Sequence, residues 1–310
     1  MYFKKMAKIN KLKTLPRILL FVYNRPNHLK STIKSLKQNK FYNLFDITIF
    51  CDGPKNKSEL DKVKKVRDIV KNLKGFKSKK IIINQTNNGL SKSIIKGITY
   101  AFRDKNTDRI IVLEDDLNFN KFFLEFMCNC LDKYRFSKNI GSVSGYSFFN
   151  GKRKFIDELY ITPRHSSWGW GTWKNRWKKF KWSKKWIQNS FSNRKIIKKI
   201  EIGGKDIPKI LKKKIDGKID SWSIVFDLNC YINNLYSVNP SKSLVYNIGL
   251  DNSGTHCTIE GNLNKNYNAK KRIKVFPELN IKAEIFKETQ AIFNIGYYER
   301  IKNKLKKILN

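Results

Sequence analysis

Acidic residues are scarce in this chain. It carries 25 Asp and Glu against 65 Lys and Arg, a formal charge of +40 over 310 residues. Such an excess suits phosphorylated ligands, nucleic acid or an anionic membrane surface. The abundance of Lys, Ile and Asn also fits AT-rich coding, in which case much of the charge is simply solvated surface. Cysteine is sparse too: five residues, at 51, 128, 130, 230 and 257, with no CxxC pair. An odd number without that spacing indicates neither a disulfide framework nor a zinc site, and fits a reducing cytosol. No apolar run approaches the roughly 18 residues that span a bilayer, and the opening MYFKKMAKINKLKTLPR lacks the hydrophobic segment of a signal peptide. Neither a GxxxxGK[ST] loop nor a GxGxxG turn after the first strand is present, which removes the P-loop and dinucleotide-binding classes.

What is there is enough to build a core, with 40% hydrophobic and 13% aromatic residues. The first half alternates. RILLFVY (17–23) is a β-rich apolar run, and Leu29, Ile33 and Leu36 then repeat at helical spacing, with His28 on that helix. DITIFCD (46–52) is the next strand, followed by a helix with Leu60, Val63, Val66, Ile69, Val70 and Leu73 on one face. KKIIINQ, RIIVLED and IGSVSGY (140–146) add three more strands, separated by the helical stretches GLSKSIIKGITYAFRD and NKFFLEFMCNCLDKYRF. Strands alternating with helices predict parallel βαβ crossovers, with ligands at the carboxyl ends of the strands.

Polar residues gather at those ends. Arg25 follows the first strand, Asp52 closes the second, Asn87 and Asn88 follow the third, and Glu114, Asp115 and Asp116 close the fourth. Singly, Asp and Asn are ordinary turn residues. Three adjacent carboxylates are different, because their repulsion destabilises the fold unless a cation or hydrogen-bond donors offset it. Hard ions such as Mg²⁺ or Mn²⁺ favour oxygen ligands, with substrate phosphates completing the shell. With no glycine-rich phosphate loop, a diphosphate would be neutralised by such a metal and by side chains such as Arg25.

LLFVYNRPNHLKSTIKSL, ITIFCDGP, TNNGLSKSIIKGI, IIVLEDDLNFNKFFLEF, SVSGY, SSWGWGTWKNRW and DSWS, spread over roughly 16–257, resemble the motifs of GT-A glycosyltransferases in their order. The likeness is to the N-acetylglucosaminyltransferase I type and to bacterial haemolytic-protein-like sugar transferases. It implies that Arg25 and Asp52 contact the nucleotide, Asp52 at the base, with Asn88 beside it. By the same resemblance Glu114 holds the donor sugar, Asp115 the ribose and Asp116 the divalent metal. Neighbouring strand residues point to opposite faces, so three consecutive carboxylates do not all reach one ion.

The second half has another texture. PRHSSWGWGTWKNRWKKFKWSKKW packs six of the seven Trp into 168–186. Such rings stack on sugars, suit single-stranded nucleic acid or fill a core. By resemblance this segment is the wall where donor sugar and acceptor meet, with Trp168 and Trp170 as the candidate rings. GKIDSWSIVFDLNCYINN (217–234) resembles the acceptor-side helix whose leading Asp is the catalytic base. Asp220 holds that position, a helix N-cap is its alternative role, and Asp227 is the second candidate base. Relatives often carry an acidic residue where this chain has Ser223. NPSKSLVYNIGLDNSGTHC (239–257) resembles the closing strand and loop, where His256 is a candidate metal or phosphate contact. In the tail, Ile301, Leu305, Ile308 and Leu309 share one helical face, which reads equally as a membrane-surface helix or as a docked terminal helix.

These readings predict an α/β protein of GT-A type, a Rossmann-like, mostly parallel sheet with a mixed acceptor-side part. The expected organisation is a basic extension over 1–15, a nucleotide-sugar-binding half over 16–146, an acceptor-side half over 147–275 and a basic helical tail over 276–310. The expected function is transfer of a hexosyl or N-acetylhexosaminyl group, with Mn²⁺ or Mg²⁺ and with inversion, from a UDP-sugar to a glycan or lipid-linked glycan in bacterial surface polysaccharide synthesis. The expected location is the cytoplasm, including the inner membrane face through anionic lipid. A nucleotidyltransferase and a non-catalytic basic nucleic-acid-binding protein are the alternatives. Nucleic acid is the weaker partner because it gives no reason for the EDD run.

Overall fold

A computed structural model describes residues 14–149, 158–251, 264, 267–278 and 280–294. The first half runs β1 (Arg17–Val22), α1 (Pro26–Lys37), β2 (Asp46–Cys51), α2 (Leu60–Lys71), β3 (Ser78–Ile83), α3 (Leu90–Ala101) and β4 (Arg109–Glu114). After β4 come the short β5 (Leu117–Phe119), α4 (Phe123–Lys133) and β6 (Ile140–Ser144). The continuous apolar runs of β1, β2 and β4 are buried on both faces, as in the centre of a parallel sheet. The lysine-bearing β3 is the partly exposed edge. His28 lies on α1 as expected.

The remaining elements are β7 (Leu159–Thr162), β8 (Trp170–Trp173), α5 (Lys174–Trp177), α6 (Lys184–Ser192), α7 (Arg194–Ile200), α8 (Ile207–Ile215), α9 (Ser223–Ile232), β9 (Tyr236–Pro240) and β10 (Val245–Asn247). The eight-stranded sheet has the order β3-β2-β1-β4-β8-β6-β9-β7, and β5 pairs separately with β10. β1 to β4 are parallel where they pair, and β6 is parallel to β9. β8 enters antiparallel between β4 and β6, so the fifth expected strand is not the direct neighbour of the fourth. The reason is local: a Cβ on Gly171 would lie 2.6 Å from the Ile110 carbonyl oxygen, so only a glycine lets this strand sit against β4.

Two apolar layers flank the sheet. One includes Leu29, Val66, Phe123 and Met127, and the other Ile94, Ile98, Trp170, Trp222 and Phe226. α6 to α8 form a lobe with a small core of its own, Ile187, Ile200, Ile207 and Leu211, packed on Ile224, Val225 and Leu228 of α9. Residues 283–294 are helical, and Ile285, Phe286 and Thr289 of that helix are buried. The apolar tail face at 301–309 and His256 lie outside the described residues, as do 1–13. No helix among the described residues is long and apolar enough to cross a membrane.

Candidate active site

The strand ends β1, β2 and β4 and the turn after β3 meet at one rim. Arg25, just before α1, donates from Nη2 to Asp115 Oδ1 at 2.7 Å and from Nη1 to Asp116 Oδ2 at 2.9 Å. Asp115 also accepts from the Tyr23 amide at 3.0 Å, and its own carbonyl accepts from Thr32 Oγ1 at 2.8 Å. One guanidinium therefore faces three carboxylates. Burial, then the neighbouring Asp116 and Asp115 charges, push the Glu114 carboxyl up to about 8. The segment after β10 covers this cluster: Ile248 donates its amide to the Asp116 carbonyl, and a Cβ on Gly249 would come within 2.4 Å of Asp116 Oδ2.

Asp52 holds the turn that follows β3. Its Oδ1 accepts from the amides of Gly53 and Asn88, both at 3.0 Å, and from Asn84 Nδ2 at 3.2 Å, while Oδ2 accepts from the Gly89 amide at 3.1 Å. Four donors fill the roughly four acceptor sites of a carboxylate. Asp52 thus fixes the 84–89 turn, including Asn88, at the N-terminus of α3. Gly89, with φ of +77°, is the helix N-cap, a left-handed position that glycine takes without strain.

Asp220 reaches the same helix end from the other side. Its Oδ2 accepts from the Ser91 amide at 3.3 Å and its Oδ1 from Lys214 Nζ at 3.0 Å. It is not the N-cap of α9, where Trp222 stands. Partial burial alone would raise its pKa, but the bonds from Lys214 and Ser91 outweigh this and leave the carboxyl below its usual range. Asp220 lines a cavity of about 420 Å³ together with Asn88, Lys92, Lys96, Trp182 and Lys214.

Asp227 is placed otherwise. It is 5% exposed, on α9, and lines a second cavity of about 350 Å³ with Tyr146, Ser166, Trp168, Ser221 and Ser223. Its Oδ1 accepts from the His165 amide at 3.0 Å, and among the described residues no donor reaches Oδ2. Burial raises its pKa, Arg164 only partly opposes this, and the result is about 7. His165 beside it is held neutral by burial, down at about 3, between Trp170 and Phe226.

The two candidate wall tryptophans separate. Trp168 is half-buried, lines the second cavity and meets Tyr146 at 4.5 Å between ring centroids. Trp170 is 0% exposed and stacks on Trp222 at 5.0 Å, so its assignment to the sugar wall is corrected: it is a core residue. The backbone between them explains the difference: Gly169, with φ of +59°, breaks the extended run just before β8, so Trp168 does not share the face that two strand residues at this spacing would. Sequence reasoning missed Tyr146, Arg164 and Lys214. Their motifs carry no spacing signal, because each joins the site from a separate element.

The sequence profile described as Glycosyl transferase family 2 matches residues 18–201, more than half of the chain. The chain belongs to glycosyltransferase family 2. This glycosyltransferase has the GT-A fold, a mostly parallel sheet between helices with a mixed acceptor side. Among solved structures it is similar to S. aureus TarS, with 14% identity and a TM-score of 0.39 over 74% of this chain and 36% of that one. A shorter TarS structure, residues 1–349, gives a TM-score of 0.41 and is covered to 60%. The mannosyltransferase PcManGT from Pyrobaculum calidifontis, in complex with GDP-Man and Mn²⁺, gives 11% identity and a TM-score of 0.35 over 55% of this chain and 50% of that one. The family 2 chain thus spans well under two thirds of the length of these proteins. No curated protein matches it.

Proposed function

We propose that this family 2 enzyme transfers a sugar from a UDP-sugar to a hydroxyl of a glycan or lipid-linked glycan, with inversion. The observation that carries the reading is the Glu114–Asp115–Asp116 run closed on Arg25 at a strand end of a glycosyltransferase. The motif order shared with the N-acetylglucosaminyltransferase I type supports an N-acetylhexosaminyl or hexosyl donor. Arg25, Asp115 and the turn held by Asp52 would bind the nucleotide, with Asn88 beside it and Glu114 toward the donor sugar.

Among the described residues no group of three or more His, Cys, Asp or Glu side chains forms a ready metal cage. The donor set nevertheless fits a hard divalent ion. Mg²⁺ is typically held by one or two carboxylates plus substrate phosphates, and here three carboxylates face a single guanidinium. Asp116 would hold Mn²⁺ or Mg²⁺, which supplies Lewis-acid stabilisation of the diphosphate leaving group. Bacterial surface polysaccharide synthesis is the setting in which such an acceptor occurs.

For the base we favour Asp227, whose Oδ2 takes no hydrogen bond among the described residues and which lines the cavity that Trp168 borders. An acceptor hydroxyl loses its proton to the carboxylate as its oxygen bonds to the anomeric carbon, and the bond from that carbon to the diphosphate breaks. A pKa near the operating pH is what a general base requires. Asp220, held by Lys214 and the Ser91 amide, positions α3. Incubation with a panel of nucleotide sugars and Mn²⁺, scored by nucleoside diphosphate release, tests the reading. No release with any donor would overturn it.

A further inference from the structure

The basic charge is not spread evenly. Residues 174–218, from α5 to just beyond α8, carry 17 Lys and Arg against three Asp and Glu, whereas 14–149 carry 26 against 12. The same excess of fourteen therefore sits on 45 residues in one segment and on 136 in the other. Biased coding alone gives no reason for a threefold difference in density within one chain. Fourteen of the seventeen are exposed, and no large apolar side chain of this segment is.

The lobe also has a direction. α8 turns Ile207 and Leu211 inward and Lys209, Lys212 and Lys213 outward. Next in sequence, Lys214 turns into the 420 Å³ cavity, where Lys92 and Lys96 stand one helical turn apart on α3 and Trp182 forms a wall. Positive charge thus continues from an exposed surface into a cleft beside the Asn88 turn. Three lysines against the one Asp220 carboxylate, which Lys214 holds at 3.0 Å, leave this cleft net positive, and such a concave site concentrates anionic ligands. A bilayer plane fits a flat patch and is not reached by the lysines inside a cleft. A lobe without exposed apolar side chains also lacks the groups that anchor interfacial helices.

We infer that the 174–218 lobe is the docking surface for an anionic acceptor polymer, one bearing a charge on each repeat, which runs on into the cavity between α3 and α9, next to the Asp227 cavity with which it shares Ser221. This rests on the transferase reading and narrows its acceptor class. The lobe holds the polymer through many screened lysine contacts, and the cavity lysines, with Trp182, take a charged repeat short of the reacting end. Long-chain inorganic polyphosphate serves as the probe.

Lysine acetylation followed by mass spectrometry reads the contact on the wild-type protein. Polyphosphate should slow labelling of Lys184, Lys185, Lys212, Lys213 and the cavity's Lys92 about fivefold or more, while the exposed Lys62, Lys64 and Lys65 of α2 stay within about twofold. Reversing Lys184, Lys185, Lys212 and Lys213 to Glu should weaken polyphosphate binding about tenfold or more at 0.15 M salt. Uniform slowing at all lysines would overturn the inference. So would protection of the lobe by phosphatidylglycerol vesicles but not by polyphosphate, or unchanged affinity in the reversed protein. None of these four lysines lines either cavity. Donor turnover without acceptor therefore reports separately on the transferase reading, and its absence would sink that reading rather than this one.

Discussion

Asp52 and Asp220 close the same end of α3 from opposite halves of the molecule. Asp52 takes the amides of Asn88 and Gly89, and Asp220 takes that of Ser91. The first amides of a helix have no partner within it, and here carboxylates at the end of β2 and ahead of α9 supply them. The turn that carries Asn88 is thereby tied to the acceptor-side helix. A side chain that reads as a base in the sequence also ties two elements together in the structure.

That role gives Asp220 a distinctive substitution pattern. Asp220→Asn keeps an acceptor oxygen for the Ser91 amide and should retain turnover within a few-fold. Asp220→Ala should lower Tm by about 2–4 °C, the shift that a lost cap of about 1 kcal/mol produces. A loss of about 10² in kcat on Asp220→Asn, with Tm unchanged, would return the base role to this residue.

Asp227→Asn should reduce kcat by about 10² or more while donor binding stays within a few-fold. In the wild type, kcat should climb as pH rises through about 7, where the carboxyl gives up its proton. Stability runs the other way. The folded pKa is raised above the ordinary 3.8, so the folded state holds the extra proton between about 3.8 and 7, and stability falls as pH rises through that window. Asp227→Asn should therefore raise Tm at pH 8 and have little effect at pH 4. Equal Tm changes at both pH values would show that burial of the carboxyl does not perturb it.

Asp116→Ala and excess chelator should each abolish transfer, and Mn²⁺ should restore only the chelated wild type. Manganese binding followed by electron paramagnetic resonance gives a readout besides activity. Gly249→Ala tests the lid of the same cluster, because its methyl would crowd Asp116 Oδ2 and Arg25 Nη1. Donor affinity should fall about tenfold with little change in Tm, since the clash is with two polar side chains and not with the core. Full activity in chelator would remove the ion from the chemistry.

The parallel half of the fold was legible because its signals are local. The apolar runs of β1, β2 and β4 and the helical spacing of Val63, Val66 and Val70 each specify one element without reference to another. The three carboxylates were legible for the same reason, being consecutive. What stayed hidden depends on pairing across the chain. Nothing local in WGTW announces that β8 runs antiparallel between β4 and β6, because the glycine that permits it matters only beside the Ile110 carbonyl. Nor does DSWS reveal that its aspartate bonds to a helix 129 residues earlier, or that Asp227, read as a spare, sits in a cavity with one oxygen that no donor among the described residues reaches.

Trp168 and Trp170 provide the last contrast. They are two residues apart, yet one borders a cavity and the other has no exposed surface and stacks on Trp222. Trp170→Ala removes a fully buried ring from the layer beneath α9 and should destabilise by about 3–5 kcal/mol, the usual cost of emptying such a site. Trp168→Ala leaves that layer intact. If its ring is the platform on which a sugar stacks, the acceptor or donor KM should rise about 5- to 20-fold with kcat far less affected, because stacking contributes about 1–2 kcal/mol to ground and transition states alike. Trp168→Phe should recover most of the affinity, since a smaller ring still offers an apolar face. A Trp168→Ala protein with wild-type KM for both substrates and a lowered Tm would make this ring another piece of core.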